Sequence, residues 1–226
     1  EIGVRLVGSE MCIRDRLVPM SHDFSVTASQ LVVDAPVIAL RKDTLTMPGG
    51  GLADREIVEH FGAVAVVALD EENRLIMVEQ YRHSVRQRLL ELPAGLLDMA
   101  GEDELEAAQR ELAEEAGLAA QDWGVLVDLV TSPGFAEEAV RIFIARGLSH
   151  VDRPEPEDEE ADMQSHWVGL FDARDAVMRG EIVNGIAVAG VLAAANIVEG
   201  NAAVRQTSEP FTMRPCLLYT SDAADE

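Results

Sequence analysis

Glu102, Arg110, Glu111, Glu114 and Glu115 fall within one short stretch, Gly95 to Leu118, which reads GLLDMAGEDELEAAQRELAEEAGL. Four carboxylates and one guanidinium so close together form an oxygen-rich cluster, and such clusters suit a hard divalent cation such as Mg²⁺ or Mn²⁺. The chemistry requires a scaffold that holds like charges side by side. Residues 104–116 are almost all good helix formers and Gly117 stands where a C-terminal stop is expected, so the stretch predicts a helix. On that helix Leu105, Ala108, Leu112 and Ala116 form an apolar stripe. Glu104, Glu111 and Glu115 line up about a quarter turn away, with Glu114 beside them. Same-sign neighbours three and four apart repel, so this face needs compensation. By spacing alone it reads equally as an acidic, solvated helix face.

The order of residues says more than their spacing. Arg110 to Leu118, RELAEEAGL, resembles the second half of the Nudix box, R-E-U-x-E-E-x-G-U with U aliphatic, at every fixed position. Seven residues separate Glu102 from Arg110, as the box requires, whereas six residues rather than five separate Gly95 from Glu102. The chain is thus similar to the Nudix hydrolases. The resemblance implies an α+β fold: an α/β/α sandwich with a mixed sheet, preceded here by a small antiparallel β region. MPGGGLADREIVEHFGAVAVV (47–67), EQYRHSVRQRLLELPAGLLD (79–98) and Pro133, sixteen residues after Gly117, resemble the ADP-ribose pyrophosphatase subfamily of actinobacterial type. The resemblance spans roughly residues 24–200.

The implied activity is metal-dependent hydrolysis of ADP-ribose to AMP and ribose 5-phosphate, with Mg²⁺ as cofactor and Mn²⁺ as a possible substitute. Cations are needed because a pyrophosphate repels nucleophiles until its charge is neutralised. By resemblance Glu111 and Glu115 are direct metal ligands, joined by the backbone carbonyl of Ala94, and Glu114 binds or supports metal through water. Arg110 reads as an orienting ion-pair partner, and Glu102 as a tie between the preceding loop and the helix. The general base belongs on a segment that can swing over substrate; the acidic run RPEPEDEEADM (153–163) offers Glu160, with Glu159 as runner-up. Most of that run also reads as a solvated loop. Arg82 is expected at the phosphate or ribose, Arg55 at the adenosine from a partner subunit, and Glu91 as an acceptor for substrate or Arg82. Pro133 marks ADP-ribose specificity, although Pro-Gly alone is just a turn. The implied assembly is a homodimer built through the N-terminal β region. Rival readings are a pyrophosphatase for another nucleoside diphosphate sugar or dinucleotide, and a sensor that binds ADP-ribose without cleaving it.

Composition narrows the field. The formal charge is −23, which should repel nucleic acid. No run approaches the ~20 apolar residues of a membrane span. The ends look foreign: Met11 to Asp15 can be encoded by DNA that is nearly the reverse complement of DNA encoding Cys216 to Ser221, a relation that resembles translated library adapter. Residues 1–16 and 216–226 are therefore set apart from fold reasoning. They hold both cysteines, Cys12 and Cys216, so the remainder offers no disulfide or thiolate chemistry. They account for three of the negative charges, leaving −20 on residues 17–215. With no secretory signal in view, a cytoplasmic location is expected.

The remainder divides into an N-terminal β region (17–60), a hydrolase domain (61–200) and a C-terminal tail (201–215). Short extended segments centre on 31–33, 37–40 and 57–58, with 47–51 as a turn. Residues 61–69 and 75–78 read as a hairpin about Asp70–Arg74, and 125–130, 140–145 and 164–168 as further strands. Helices are predicted at 104–116, 172–179 and 184–198.

Overall fold

β-Branched residues recur along the N-terminal segment, which builds long strands rather than short ones. The computed structural model describes residues 4–5, 24–99, 101–153 and 162–215. Strands β1 (Val4–Arg5), β2 (Ser25–Asp34), β3 (Ile38–Thr46) and β4 (Leu52–His60) form an antiparallel sheet in that order. The predicted turn joins β3 to β4: Gly50 takes φ 81°, and the Met47 N–H donates to the Gly51 carbonyl at 2.7 Å. The sequence marked only the apolar centres of these strands. Their length comes from ladder pairing that runs on through Lys42, Asp43 and Thr44.

The next strand, β5 (Ala63–Ala68), is buried at all six residues, as a strand covered on both faces must be. Then come β6 (Arg74–Arg82), β7 (Gln87–Glu91), β8 (Ala94–Leu96), α1 (Glu104–Ala116) and β9 (Leu118–Ala119). They are followed by β10 (Asp122–Val130), β11 (Ala139–Arg146), β12 (Ser149–His150), β13 (Gln164–Gly169), α2 (Leu170–Arg179) and α3 (Gly185–Val198). One mixed sheet has the order β10-β11-β5-β8, with β11 parallel to β5; β13-β6-β7 form a second and β12-β9 a third. The expected hairpin across Asp70–Arg74 needs correction. The turn closes, with the Asp70 N–H donating to the Arg74 carbonyl at 3.0 Å, but only Leu69 and Leu75 bridge before β5 and β6 part into different sheets.

Alternation along β5 decides the layers. Val64, Val66 and Ala68 pack with Ala107, Ala108 and Leu112 of α1, while Ala63, Ala65 and Val67 pack with Ala187, Val191 and Ala194 of α3. The mixed sheet is thereby sandwiched between helices. At roughly 1.5–3 kcal/mol for each large side chain fully buried, residues such as Leu112, Ile142 and Phe143 dominate this core. The helix stripe also differs from its expectation: Ala107 is fully buried, whereas Leu105 and Ala116 are only partly so.

Residues 201–215, expected as a tail, are docked on the domain. Arg205 bridges Val125, Phe211 is buried, and Arg214 reaches Glu104 at 3.0 Å. Arg141, almost wholly buried, grips Asp128 at 2.8 and 3.0 Å, donates to the Glu209 carbonyl at 2.7 Å and lies over the Phe211 ring. No periodic pattern announces such a segment, because single anchor residues hold it.

Candidate active site

Helix α1 begins where its sequence can satisfy its own first amides. The Asp103 side chain accepts from the Glu106 N–H at 2.8 Å, and the Glu106 carboxylate accepts from the Asp103 N–H at 3.2 Å. Such a cap contributes about 1 kcal/mol. The helix ends at Gly117, whose φ of 64° suits a residue without Cβ.

With Ala107, Ala108 and Leu112 in the core, Glu111 and Glu115 are turned toward β8 and are only 8% and 7% exposed. Glu115 accepts the Ala94 N–H at 2.9 Å. The Glu111 carboxylate lies against Gly95 so closely that a Cβ there would stand 1.9 Å from Oε1. A side chain at residue 95 would force that carboxylate to move.

Arg110 provides the compensation that the like charges require. Its Nε and Nη2 bond the two Glu102 oxygens at 2.9 and 3.0 Å, and Nη1 donates to Glu111 at 2.6 Å and Glu114 at 3.1 Å. The Glu102 bonds are the largest influence holding the guanidinium pKa above its ordinary value; Glu111 adds to them and burial only partly opposes. Arg110 is therefore a fixed positive charge. The extra residue between Gly95 and Glu102 does no harm, since Glu102 still reaches Arg110.

A second pair stands just upstream of β8. Arg82, at the end of β6, makes a two-pronged bond to Glu91 of β7 at 3.0 and 2.8 Å, so the expected link between them is present. Arg55 lies on β4, exposed, donating to the Asp54 carbonyl at 2.7 Å. Pro133 is exposed at a turn after β10, where the Phe135 N–H donates to the Ser132 carbonyl at 3.1 Å. Glu104 does not join the carboxylate group; Arg214 holds it instead. Glu160, with Glu155, Glu157, Asp158 and Glu159, lies outside the described residues. The flanks of that run touch the site's elements: Arg153 donates to the Glu114 carbonyl at 2.7 Å, and Asp162 pairs with Arg88 of β7.

Among the described residues no three carboxylate, imidazole or thiolate side chains converge as a ready-made metal cage. Arg110 and the Ala94 amide engage the carboxylates instead. The donor set still fits a hard cation in kind: Glu111, Glu114, Glu115 and the Ala94 carbonyl offer only oxygen, and two of those carboxylates are buried against backbone. Sequence reasoning missed the steric demand at Gly95 and the cap at Asp103. The D-x-x-E spacing of residues 103–106 could have revealed the cap.

Residues 59–184 match the NUDIX domain, and the chain belongs to the Nudix family. It is 52% identical over 194 residues to an ADP-ribose pyrophosphatase of Mycobacterium tuberculosis, a match covering 86% of this chain and 94% of that relative. An ADP-ribose pyrophosphatase of Bacillus subtilis is 37% identical over 155 residues, 69% of this chain and 83% of that one. A crystal structure of an ADP compounds hydrolase superposes with a TM-score of 0.69 at 20% identity, covering 81% of this chain and 98% of the other. That last likeness shows the mixed α+β fold.

Proposed function

We propose that this chain hydrolyses the pyrophosphate bond of ADP-ribose, releasing AMP and ribose 5-phosphate. The carrying observation is the Arg110-braced carboxylate group at Gly95, in a chain matching ADP-ribose pyrophosphatases across most of their length. A divalent cation, Mg²⁺ foremost, supplies neutralisation of the diphosphate and a more acidic attacking water when bound, and Glu111, Glu114, Glu115 and the Ala94 carbonyl would hold it. Arg110 orients Glu102, Glu111 and Glu114 through its charged hydrogen bonds. Glu160 takes the proton of the attacking water as general base. Arg82, oriented by Glu91, presents paired donors to the phosphate or ribose. Pro133 contacts substrate from its turn.

The N-terminal sheet supports a homodimer. Ile38 and Val33 on it are 38% and 48% exposed, and Leu52 at its end is 70% exposed, so apolar surface is left for a second copy to cover. In that dimer Arg55 reaches the partner's adenosine. The functional units are 17–60, 61–200 and the strap 201–215, with residues 1–16 and 216–226 as foreign ends. Among the described residues no helix is long and apolar enough to cross a membrane, and a cytoplasmic site of action suits the acidic chain. The test is a panel of nucleoside diphosphate sugars and dinucleotides with Mg²⁺, scored for AMP release. ADP-ribose should rank first; a lower rank would shift the substrate and leave the hydrolase class intact.

A further inference from the structure

The N-terminal sheet buries charge where a strand normally buries hydrocarbon. On β3, Ala39, Arg41 and Asp43 point inward, and Glu59 of β4 is fully buried beside them. Arg41 binds Asp43 at 3.0 Å, Glu59 at 2.6 Å and Glu137 at 2.5 Å, while Ser29 donates to Asp43 at 2.6 Å. Glu137 is the outsider in this group, because it belongs to the segment between β10 and β11. The same segment is sewn to β4 through backbone: the Val58 N–H donates to the Phe135 carbonyl at 2.7 Å, and the Glu137 N–H to the Val58 carbonyl at 3.0 Å. The tip leading into these anchors, Pro133, Gly134 and Phe135, is exposed, with Phe135 at 60%. An exposed apolar tip on an immobilised stem is a preorganised contact surface, since little entropy is lost when a ligand meets it.

We infer that the Arg41–Glu137 ion pair is a positioning device: it sets the Ser132–Glu137 turn so that its tip meets substrate. The inference rests on the ADP-ribose reading above, in which Pro133 contacts substrate. Two features favour positioning over mere support. Arg41 keeps Asp43 and Glu59 as partners without Glu137, so the sheet does not need this carboxylate for charge balance. Glu137 Oε2 is moreover buried with no hydrogen-bond partner among the described residues, a cost that folding alone would remove.

The test is Glu137→Ala beside Glu137→Gln in the full chain, read by ADP-ribose kinetics with Mg²⁺, thermal unfolding, and amide hydrogen exchange across 131–138. Glu137→Ala should raise KM about 10-fold with kcat within about 3-fold, lower Tm as loss of a buried ion pair does, and speed exchange in the turn. Glu137→Gln retains an acceptor for Arg41 and should recover most of the KM and exchange losses. Unchanged KM and exchange in the alanine variant, or a fall in Tm with KM intact, overturns the inference. If the wild type failed to cleave ADP-ribose, that reading would fall by itself, and the exchange data would still decide whether Glu137 fixes the turn.

Discussion

Arg110 and Arg41 each face three carboxylates, yet the two clusters do different work. Arg110 binds Glu102, Glu111 and Glu114 with side-chain exposures of 26, 13, 11 and 36%. Arg41 binds Asp43, Glu59 and Glu137 with side-chain exposures of 6, 4, 0 and 14%. Water at the first cluster screens the charges and lets ions and protons exchange. Exclusion of water at the second makes each ion pair costly to break and fixes the strands it joins. The same stoichiometry of charge is therefore expected to serve chemistry at the partly exposed Arg110 and architecture at the buried Arg41.

The sharpest way to separate the two is to neutralise one carboxylate of helix α1. Glu115→Gln should lower turnover on the order of 10³-fold, comparable to losing a transition-state electrostatic contact, with the far-ultraviolet spectrum and Tm preserved. Activity near wild type would remove Glu115 from the metal-binding group. Glu160→Gln should slow kcat on the order of 10²-fold while metal affinity, followed by calorimetry, stays put. An unchanged rate moves the base elsewhere. Gly95→Ala places a methyl into Glu111 and should cost roughly 10-fold or more in kcat/KM, since displaced site groups are expensive; wild-type kinetics would mean that the helix yields freely.

The buried cluster should answer in stability instead. Arg41→Met leaves buried carboxylates without their cation and should cost about 3–5 kcal/mol, read by denaturant unfolding. A loss under ~1 kcal/mol would make this cluster no different from a surface pair. The smallest effect belongs to the turn that separates β5 from β6. Burial alone would raise the Asp70 pKa, but bonds from Arg74 outweigh it and hold the pKa below its ordinary 3.8. A carboxylate lowered on folding adds stability above its unfolded pKa and loses it as pH falls through the folded one. Unfolding curves should thus show Asp70→Asn destabilised near neutral pH, with the gap to wild type closing below about pH 4. A gap independent of pH would assign the effect to hydrogen-bond geometry.

Much of helix α1 was legible because local rules govern it. The bounds 104–116, the stop at Gly117 and the arginine among glutamates all follow from short-range spacing. Helices α2 and α3 and the strands β10, β11 and β13 were visible in outline for the same reason. Legibility failed where distant residues decide. Glu104 shares a helical face with Glu111 and Glu115, yet a residue 110 positions away claims it. Phe61 to Val78 has the pattern of a hairpin, but its strands part because each is completed by a different partner, β11 or β13.

The sequence by itself determined a helix bearing ordered carboxylates, and with it the family and its chemistry, because a helical repeat converts spacing directly into a shared face. Only the tertiary structure decided which of those carboxylates are buried, that Glu111 lies against Gly95, and that Arg41 ties the N-terminal sheet to the turn at Pro133. Those outcomes depend on contacts between segments far apart in the chain, and no local periodicity encodes what will be pressed against a residue once water is excluded.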